Sequence, residues 1–294
     1  MPQTILITGC SSGLGRSAAL LFAAKGWNVV ATTRNPDIFS DLAAMPNVLV
    51  TRLDVQDTAS IRSAIENGIA CFGGIDVLVN NAGFGLFGVF ETVPPAKIQE
   101  QFAVNVFGVM DVTRAILPHF RSKKSGLIVN ISSGAGIFTL PALSMYCASK
   151  FALEGFSEAL SYELASQGVR VKIIEPGGVV STNFGKRSAE EASGNESLAD
   201  YDAFAAHTAA LFAKMRSERR GTEEQVSQCI YEAVTDGTDQ LRYVATEDIQ
   251  PLVRARRETS EAEYIAVMRS QFWHVVSNSW SDAAIPSDEF VNER

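Results

Sequence analysis

Histidine is scarce in this sequence: three residues in 294, at positions 119, 207 and 274. Neither an HExxH pair nor a Cys/His cluster occurs, so no dedicated metal site is expected. The four cysteines, Cys10, Cys71, Cys147 and Cys229, are scattered, and no two form CxxC. They are expected to be reduced thiols of a cytoplasmic protein. No apolar run approaches the roughly 18 residues that a membrane helix needs. No basic stretch precedes the first apolar segment, so a secretory signal is not expected. Basic residues are outnumbered, 25 Lys and Arg against 33 Asp and Glu, for a formal net charge of −8. Such a surface repels phosphates, which argues against a nucleic-acid partner. Charged residues make up only 20% against 46% hydrophobic, so the chain can bury a large core and is not disordered.

What is present is an alternation. Short runs rich in Val, Ile and Leu recur at Thr4–Thr8, Asn28–Thr32, Val48–Leu53, Asp76–Asn80, Leu127–Ile131, Val169–Ile174 and Leu241–Val244. Near-continuous apolar runs of this length suit strands covered on both faces. Helix-length segments separate them: Leu14–Lys25, Ala59–Cys71, Ala96–Phe120, Tyr146–Ser166 and Glu223–Asp236. Strand, helix, strand, repeated, predicts an α/β fold with a Rossmann-like, doubly wound parallel sheet. Length alone allows about two domains, but folds of this class often reach this size as one. Residues 1–250 are expected to form a single catalytic domain. Within it, 185–220 is rich in Ala, Ser, Glu and Arg and predicts a helical lid. Residues 251–294 predict a C-terminal helical extension ending in a polar tail.

The first strand runs into Thr8-Gly9-Cys10-Ser11-Ser12-Gly13-Leu14-Gly15 and then into the first helix. Glycines at 9, 13 and 15 permit a tight turn and close backbone approach. A helix start there offers free amides and a partial positive charge to a pyrophosphate. The spacing is T-G-x-x-x-G-x-G rather than G-x-G-x-x-G.

Four further segments go with this loop: Asn80-Asn81-Ala82-Gly83 after the fourth strand, Asn105 in Asn-Val-Phe-Gly, Ser133 placed 13 residues before Tyr146 in Tyr-Cys-Ala-Ser-Lys150, and Pro176-Gly177 after the sixth strand. Together and in this order they resemble the classical short-chain dehydrogenase/reductase family, over about residues 4–184. The loop and the long C-terminal part look most like retinol and hydroxysteroid dehydrogenase-like members. The resemblance implies a catalytic tetrad of Asn105, Ser133, Tyr146 and Lys150. It also implies dinucleotide contacts from Gly9, Ser11, Ser12, Gly13, Leu14, Gly15, Asp54, Val55, Asn81, Ala82, Gly83, Tyr146, Lys150, Pro176, Gly177 and Val179. A threonine follows the Pro-Gly pair in the family. Here Ser181 has the usual spacing, and Thr182 is the favoured nicotinamide contact.

The chemistry explains these residue types. Hydride transfer to a ketone leaves an alkoxide that needs a proton, and a tyrosine hydroxyl can supply it. Free tyrosine has a pKa near 10, so a neighbouring cation is expected to poise it. Tyr146 and Lys150 are four residues apart and share one helical face. Ser133, just past a strand's C-terminal end, can hold the carbonyl, as an oxyanion donor does. Its neighbour Ser132 is the competitor. Asn105 is expected to fix a water that relays protons to Lys150.

The second strand ends in Thr33-Arg34, where NAD-binding members carry an acidic residue. An arginine fork suits a 2′-phosphate, so NADP(H) is favoured over NAD(H). Phe84, Leu86, Phe87, Ile137, Phe138, Leu140, Leu143 and Phe184 are expected to line the substrate pocket, which fits an apolar or aromatic ketone, aldehyde or alcohol. The leading expectation is an NADP(H)-dependent carbonyl reductase that works as a homodimer or homotetramer. An NAD-dependent hydroxysteroid or retinol-type alcohol dehydrogenase is the enzymatic alternative. A non-catalytic dinucleotide-sensing protein would be expected to lack Tyr146 or Lys150, and both are present.

Overall fold

Alternation of side chains along each strand decides which residues face which layer. In β1 (Thr4–Ile7), Ile5 and Ile7 enter one core while Leu6 enters the other, and all three are fully buried. The computed structural model describes residues 2–36, 40–179, 188, 198–217 and 221–273. The other strands are β2 (Asn28–Thr33), β3 (Val48–Arg52), β4 (Val77–Asn80), β5 (Gly126–Ile131), β6 (Val169–Glu175) and β7 (Arg242–Val244). They form one seven-stranded sheet in the order β3-β2-β1-β4-β5-β6-β7. Every pairing is parallel. The Rossmann-like architecture is as expected, with strand ends shifted by one residue or so.

Ten described helices cover the sheet and its C-terminal flank: α1 (Gly13–Ala24), α2 (Ser40–Ala43), α3 (Thr58–Phe72), α4 (Pro95–Phe102), α5 (Val109–Lys123), α6 (Ser144–Ala165), α7 (Asp202–Ser217), α8 (Glu223–Thr235), α9 (Gln250–Glu258) and α10 (Glu261–Phe272). Phe22 of α1 and Val226, Ile230 and Ala233 of α8 close one face. Ile61 and Ile65 of α3, Val112, Ile116 and Phe120 of α5, and Leu160 of α6 close the other. The start and stop of α3 follow from its ends. Asp57 caps the first amides, and Gly73 ends the helix with φ +81°.

Three expectations change here. The single helix over Ala96–Phe120 is α4 and α5 joined by a π-helical turn, Ala103–Gly108, which holds Asn105. Ile137 and Phe138, expected in the pocket wall, are core side chains. They are buried against Ile249, Leu252 and Val253 around α9 and against Tyr264 and Met268 of α10. The C-terminal helices are therefore part of a core, because the apolar face of α9 has those two side chains to cover. Of the expected lid, the described part is chiefly α7. Ser181, Thr182 and Phe184 and the tail 279–294 lie outside the described residues.

Chain order reverses between β1 and β4, which lie side by side although the chain runs from β1 to β2. In open α/β sheets the crevice beyond such a switch point is where ligands bind. The glycine loop leaves β1 there, and Asn80-Asn81-Ala82-Gly83 leaves β4.

Candidate active site

The two loops at the switch point are built into each other. The Thr8 hydroxyl accepts the backbone N–H groups of Asn81 (2.9 Å) and Ala82 (3.0 Å). The Asn81 amide donates to the carbonyls of Thr8 (2.8 Å) and Gly9 (3.2 Å). Glycine is required by space. A methyl group on Gly15 would lie 2.4 Å from Asn81 Nδ2 and 2.5 Å from Gly9 O. Gly9 and Gly13 also take positive φ, +73° and +61°. Asn81, an expected cofactor contact, also holds the loop in shape with its side chain.

The first turn of α1 fits a dinucleotide pyrophosphate. Ser12 sits at the N-cap without a side-chain cap bond, and no acidic residue occupies the first turn. The amides there are free of side-chain partners and the helix dipole is not neutralised. At the end of β2, Thr33 is buried and Arg34 is exposed, with no hydrogen-bond or ion-pair partner among the described residues. Asp54 binds the Gln56 amide at 3.0 Å in a local turn, and Val55 is buried against Gly108. Gly83 is exposed and a methyl there would come 3.1 Å from Asn105 Oδ1.

Beyond β6, the Pro176 carbonyl accepts from Gly134 N (2.8 Å). Gly177 N donates to Thr246 Oγ1 at 2.8 Å, and Gly178 N donates to Asp248 Oδ2 at 2.9 Å. Val179 pairs with Gly221 in an isolated parallel bridge. Thr246 and Asp248 thus clamp the Pro-Gly segment from 69 and 70 residues away. No local pattern in the sequence signals that.

The proposed tetrad converges at the ends of β5 and α6. Tyr146 is 8% exposed, and its hydroxyl is hydrogen-bonded to Ser133. Ser133 Oγ also accepts the Ala135 amide at 3.2 Å. Ser132 turns the other way: it is 3% exposed, and its Oγ has no partner. Lys150 is 7% exposed and donates from Nζ to the Ile131 carbonyl at 2.8 Å, 5.8 Å from the centroid of the Tyr146 ring. Burial pushes the Tyr146 hydroxyl up to about 12, against the Ser133 hydrogen bond. Burial also pulls Lys150 down to about 8, with Glu154 opposing. Desolvation thus outweighs the Ser133 hydrogen bond and favours a neutral phenol.

Asn105 is saturated by protein groups. Its amide donates to the Phe84 carbonyl (2.9 Å) and Ser149 Oγ (3.2 Å), and Oδ1 accepts the Phe84 amide (3.1 Å). Gln101, one turn earlier, donates to the same carbonyl at 3.2 Å. Ser149 passes the link on to the Tyr146 carbonyl at 2.8 Å. The side chain therefore pins the 84 segment to the catalytic helix. A separate buried chain runs from Thr113 through Asn80 and Asn130 to Ser157.

An apolar cleft of about 460 Å³ opens beside the first turn of α6. Val89, Phe90, Ala142, Ser144 and Phe204 line it, with Glu91 and Tyr201 hydrogen-bonded to each other at 2.9 Å. Phe87 packs edge-on to Phe212 and, with Leu140, against the cluster of Tyr146 and Leu143. Phe84 and Leu86, expected in the pocket wall, are buried. Cys147 is buried too, and burial pushes its thiol up, so it is not activated as a nucleophile.

Comparison with known proteins follows the same lines. A family model described as short chain dehydrogenase matches residues 3–192. An uncharacterized oxidoreductase of Schizosaccharomyces pombe is 38% identical over 239 residues, 81% of this chain and 98% of its own. A 3-ketodihydrosphingosine reductase of Bacteroides thetaiotaomicron is 39% identical over 200 residues, 68% of this chain and 72% of its own. The crystal structure of a short-chain dehydrogenase from Streptomyces avermitilis superposes with a TM-score of 0.77 at 30% identity, covering 93% of this chain and 99% of that one. Other solved structures of this fold are complexes with NAD or with NADP.

Proposed function

The chain belongs to the classical short-chain dehydrogenase/reductase family and is an oxidoreductase acting on CH–OH groups with a nicotinamide dinucleotide; on that premise we propose that it is an NADP(H)-dependent carbonyl reductase for apolar ketones or aldehydes. The observation that carries this reading is Tyr146, hydrogen-bonded to Ser133 and one turn from a buried Lys150, on a helix whose first turn borders an apolar cleft at Ser144. Residues 1–250 act as the catalytic unit with a lid around 185–220, and 251–294 act as its extension.

Gly9, Ser11, Ser12, Gly13, Leu14 and Gly15 hold the pyrophosphate at the α1 N-terminus. Arg34 reads a 2′-phosphate. Asp54, Val55, Ala82 and Gly83 flank the adenosine side, and Pro176, Gly177, Val179 and Thr182 flank the nicotinamide. When bound, the cofactor supplies or accepts the hydride. Ser133 holds the substrate oxygen and Tyr146 delivers the proton to it, or removes it in the oxidative direction. A neutral phenol is the form that donates, and its burial keeps it neutral. Lys150 stabilises the tyrosinate left behind and reaches the ribose. With its side chain committed to Phe84 and Ser149, Asn105 fixes that geometry and with it the water that relays protons to Lys150. The apolar lining of the cleft and the name of the Bacteroides relative support a ketone with an apolar body.

The test is a set of initial rates with NADPH and NADH over a panel of ketones graded in polarity. The reading requires turnover that favours NADPH and rises with apolar character. Activity confined to small polar carbonyls overturns the substrate class.

A further inference from the structure

One turn beyond Lys150, a buried ionic cluster begins that hydride chemistry leaves unused. Glu154 of α6 is 7% exposed, and its Oε2 accepts Arg242 Nε from β7 at 3.0 Å. Arg242 also reaches Glu158 of α6 at 2.5 Å. Its Nε lies 3.7 Å from Oε1 of Glu175, the last residue of β6. Glu175 is fully buried and accepts Arg257 of α9 at 2.5 Å. Three buried oxygens in this region have no hydrogen-bond partner among the described residues: Glu154 Oε1, Glu175 Oε2 and Ser132 Oγ. Gly136 sits among these groups. A methyl there would lie 2.7 Å from Ser132 Oγ, 3.0 Å from Glu154 Cγ and 3.2 Å from the Lys150 carbonyl.

A buried carboxylate with an unpaired oxygen is costly, and replacing such ionic groups by apolar ones is often neutral or stabilising. Its presence calls for a role beyond packing. Lys150 supplies one. An ammonium in that seat loses its hydration and donates to the Ile131 carbonyl. Residues four apart on a helix are neighbours, so the Glu154 charge acts on Lys150 directly.

We propose that Glu154 is a positioning residue for the reaction: standing one helical turn from Lys150 and braced by Arg242, it keeps the lysine protonated in its buried seat. This rests on the reading of Lys150 as the residue that stabilises the tyrosinate. The groups facing Glu154 are Lys150 and Glu158 on its own helix, Glu175 from β6, Arg242 from β7, and Ser132 and Gly136 from the segment after β5. Arg257 of α9 faces Glu175. Burial, then Glu154, pushes Glu175 up to about 7, against Arg257 and Arg242. Glu175 therefore takes up a proton near neutral pH, which relieves its repulsion with Glu154.

The sign follows from Lys150, held near 8 with Glu154 opposing its burial. An ionised Glu154 raises the lysine, so removing the charge lowers it further. Reduction that needs the ammonium then fails at a lower pH. In Glu154→Gln the basic limb of kcat/KM for ketone reduction should move down by about one pH unit. Glu154→Met, which keeps the volume without the charge, should move it likewise and serves if the glutamine variant does not fold. Glu158→Gln removes a carboxylate from the same arginine two turns from Lys150 and should leave the limb in place. An Nζ NMR titration of Lys150, assigned with Lys150→Arg in protein without cofactor, reads the same shift without catalysis. An unmoved midpoint and limb in whichever Glu154 variant folds overturns the proposal, as does an equal shift in Glu158→Gln. If Tyr146→Phe instead keeps wild-type turnover while the NMR midpoint still moves, the link between Glu154 and Lys150 stands and the catalytic reading fails.

Discussion

Thr8 and Asn81 lock the ends of β1 and β4 together reciprocally: the Thr8 hydroxyl accepts the Asn81 amide at 2.9 Å, while the Asn81 side chain donates to the Thr8 carbonyl at 2.8 Å. The phosphate loop owes its shape to this lock, because its glycines leave the backbone free to choose others. Thr8→Val keeps the shape of the side chain and removes an acceptor that serves two amides. It should cost about 1–3 kcal/mol in denaturant unfolding and weaken dinucleotide binding. Unchanged stability together with unchanged affinity would show that the loop is held by other means.

Tyr146→Phe removes the proton donor and keeps the ring. Turnover should fall by about 10²–10⁴-fold, with cofactor affinity largely retained. Steady-state kinetics and a fluorescence titration of NADPH read the two effects separately. A variant within a few-fold of wild type would exclude Tyr146 as the acid.

Arg34 stands exposed beside buried Thr33, with no carboxylate on Thr33 to repel a phosphate. A charge-assisted fork of this kind should make NADPH bind about 10- to 100-fold more tightly than NADH. Replacing Thr33 with Asp and Arg34 with Leu should reverse the order, and paired titrations on both proteins decide it. Equal affinities in the wild type would remove Arg34 from the site.

Phe107 in the π turn and Phe151 and Tyr162 on α6 are 57%, 40% and 71% exposed. Large apolar side chains on the surface of one helix pair mark a docking surface. A homodimer built on these helices is the expected assembly, and Phe107→Glu with Phe151→Glu should yield a monomer by light scattering at micromolar concentration. A wild-type monomer under the same conditions would rule the interface out.

Legibility from sequence followed the range of the interactions. The sheet was readable because runs such as Ile5–Ile7 and Val77–Val79 pack on both faces and so show no polar break. Tyr146 and Lys150 were readable because one helix sets their spacing. Thr246 and Asp248 were not, since they reach Gly177 and Gly178 across about 70 residues and resemble any turn before a helix. Ile137 and Phe138 were misplaced for a similar reason: an apolar pair beside a catalytic residue can face a pocket or a core, and only α9 and α10 decide it. The helical proximity of Tyr146 to Lys150 was legible, whereas the depth of burial that raises the tyrosine was not.

The π turn at Ala103–Gly108 sets the rotational phase between two helices. It carries a surplus residue relative to α-helical winding, and each residue advances a helix by about 100°. Rewinding this stretch as plain α-helix at the same length would swing α5 by that angle relative to α4. Val112, Ile116 and Phe120 would leave the sheet, and Asn105 would lose its grip on Phe84. Many substitutions in this stretch can be absorbed locally, whereas a change in its winding cannot. Its widened turn, more than its composition, is what keeps the catalytic helix and the sheet in step.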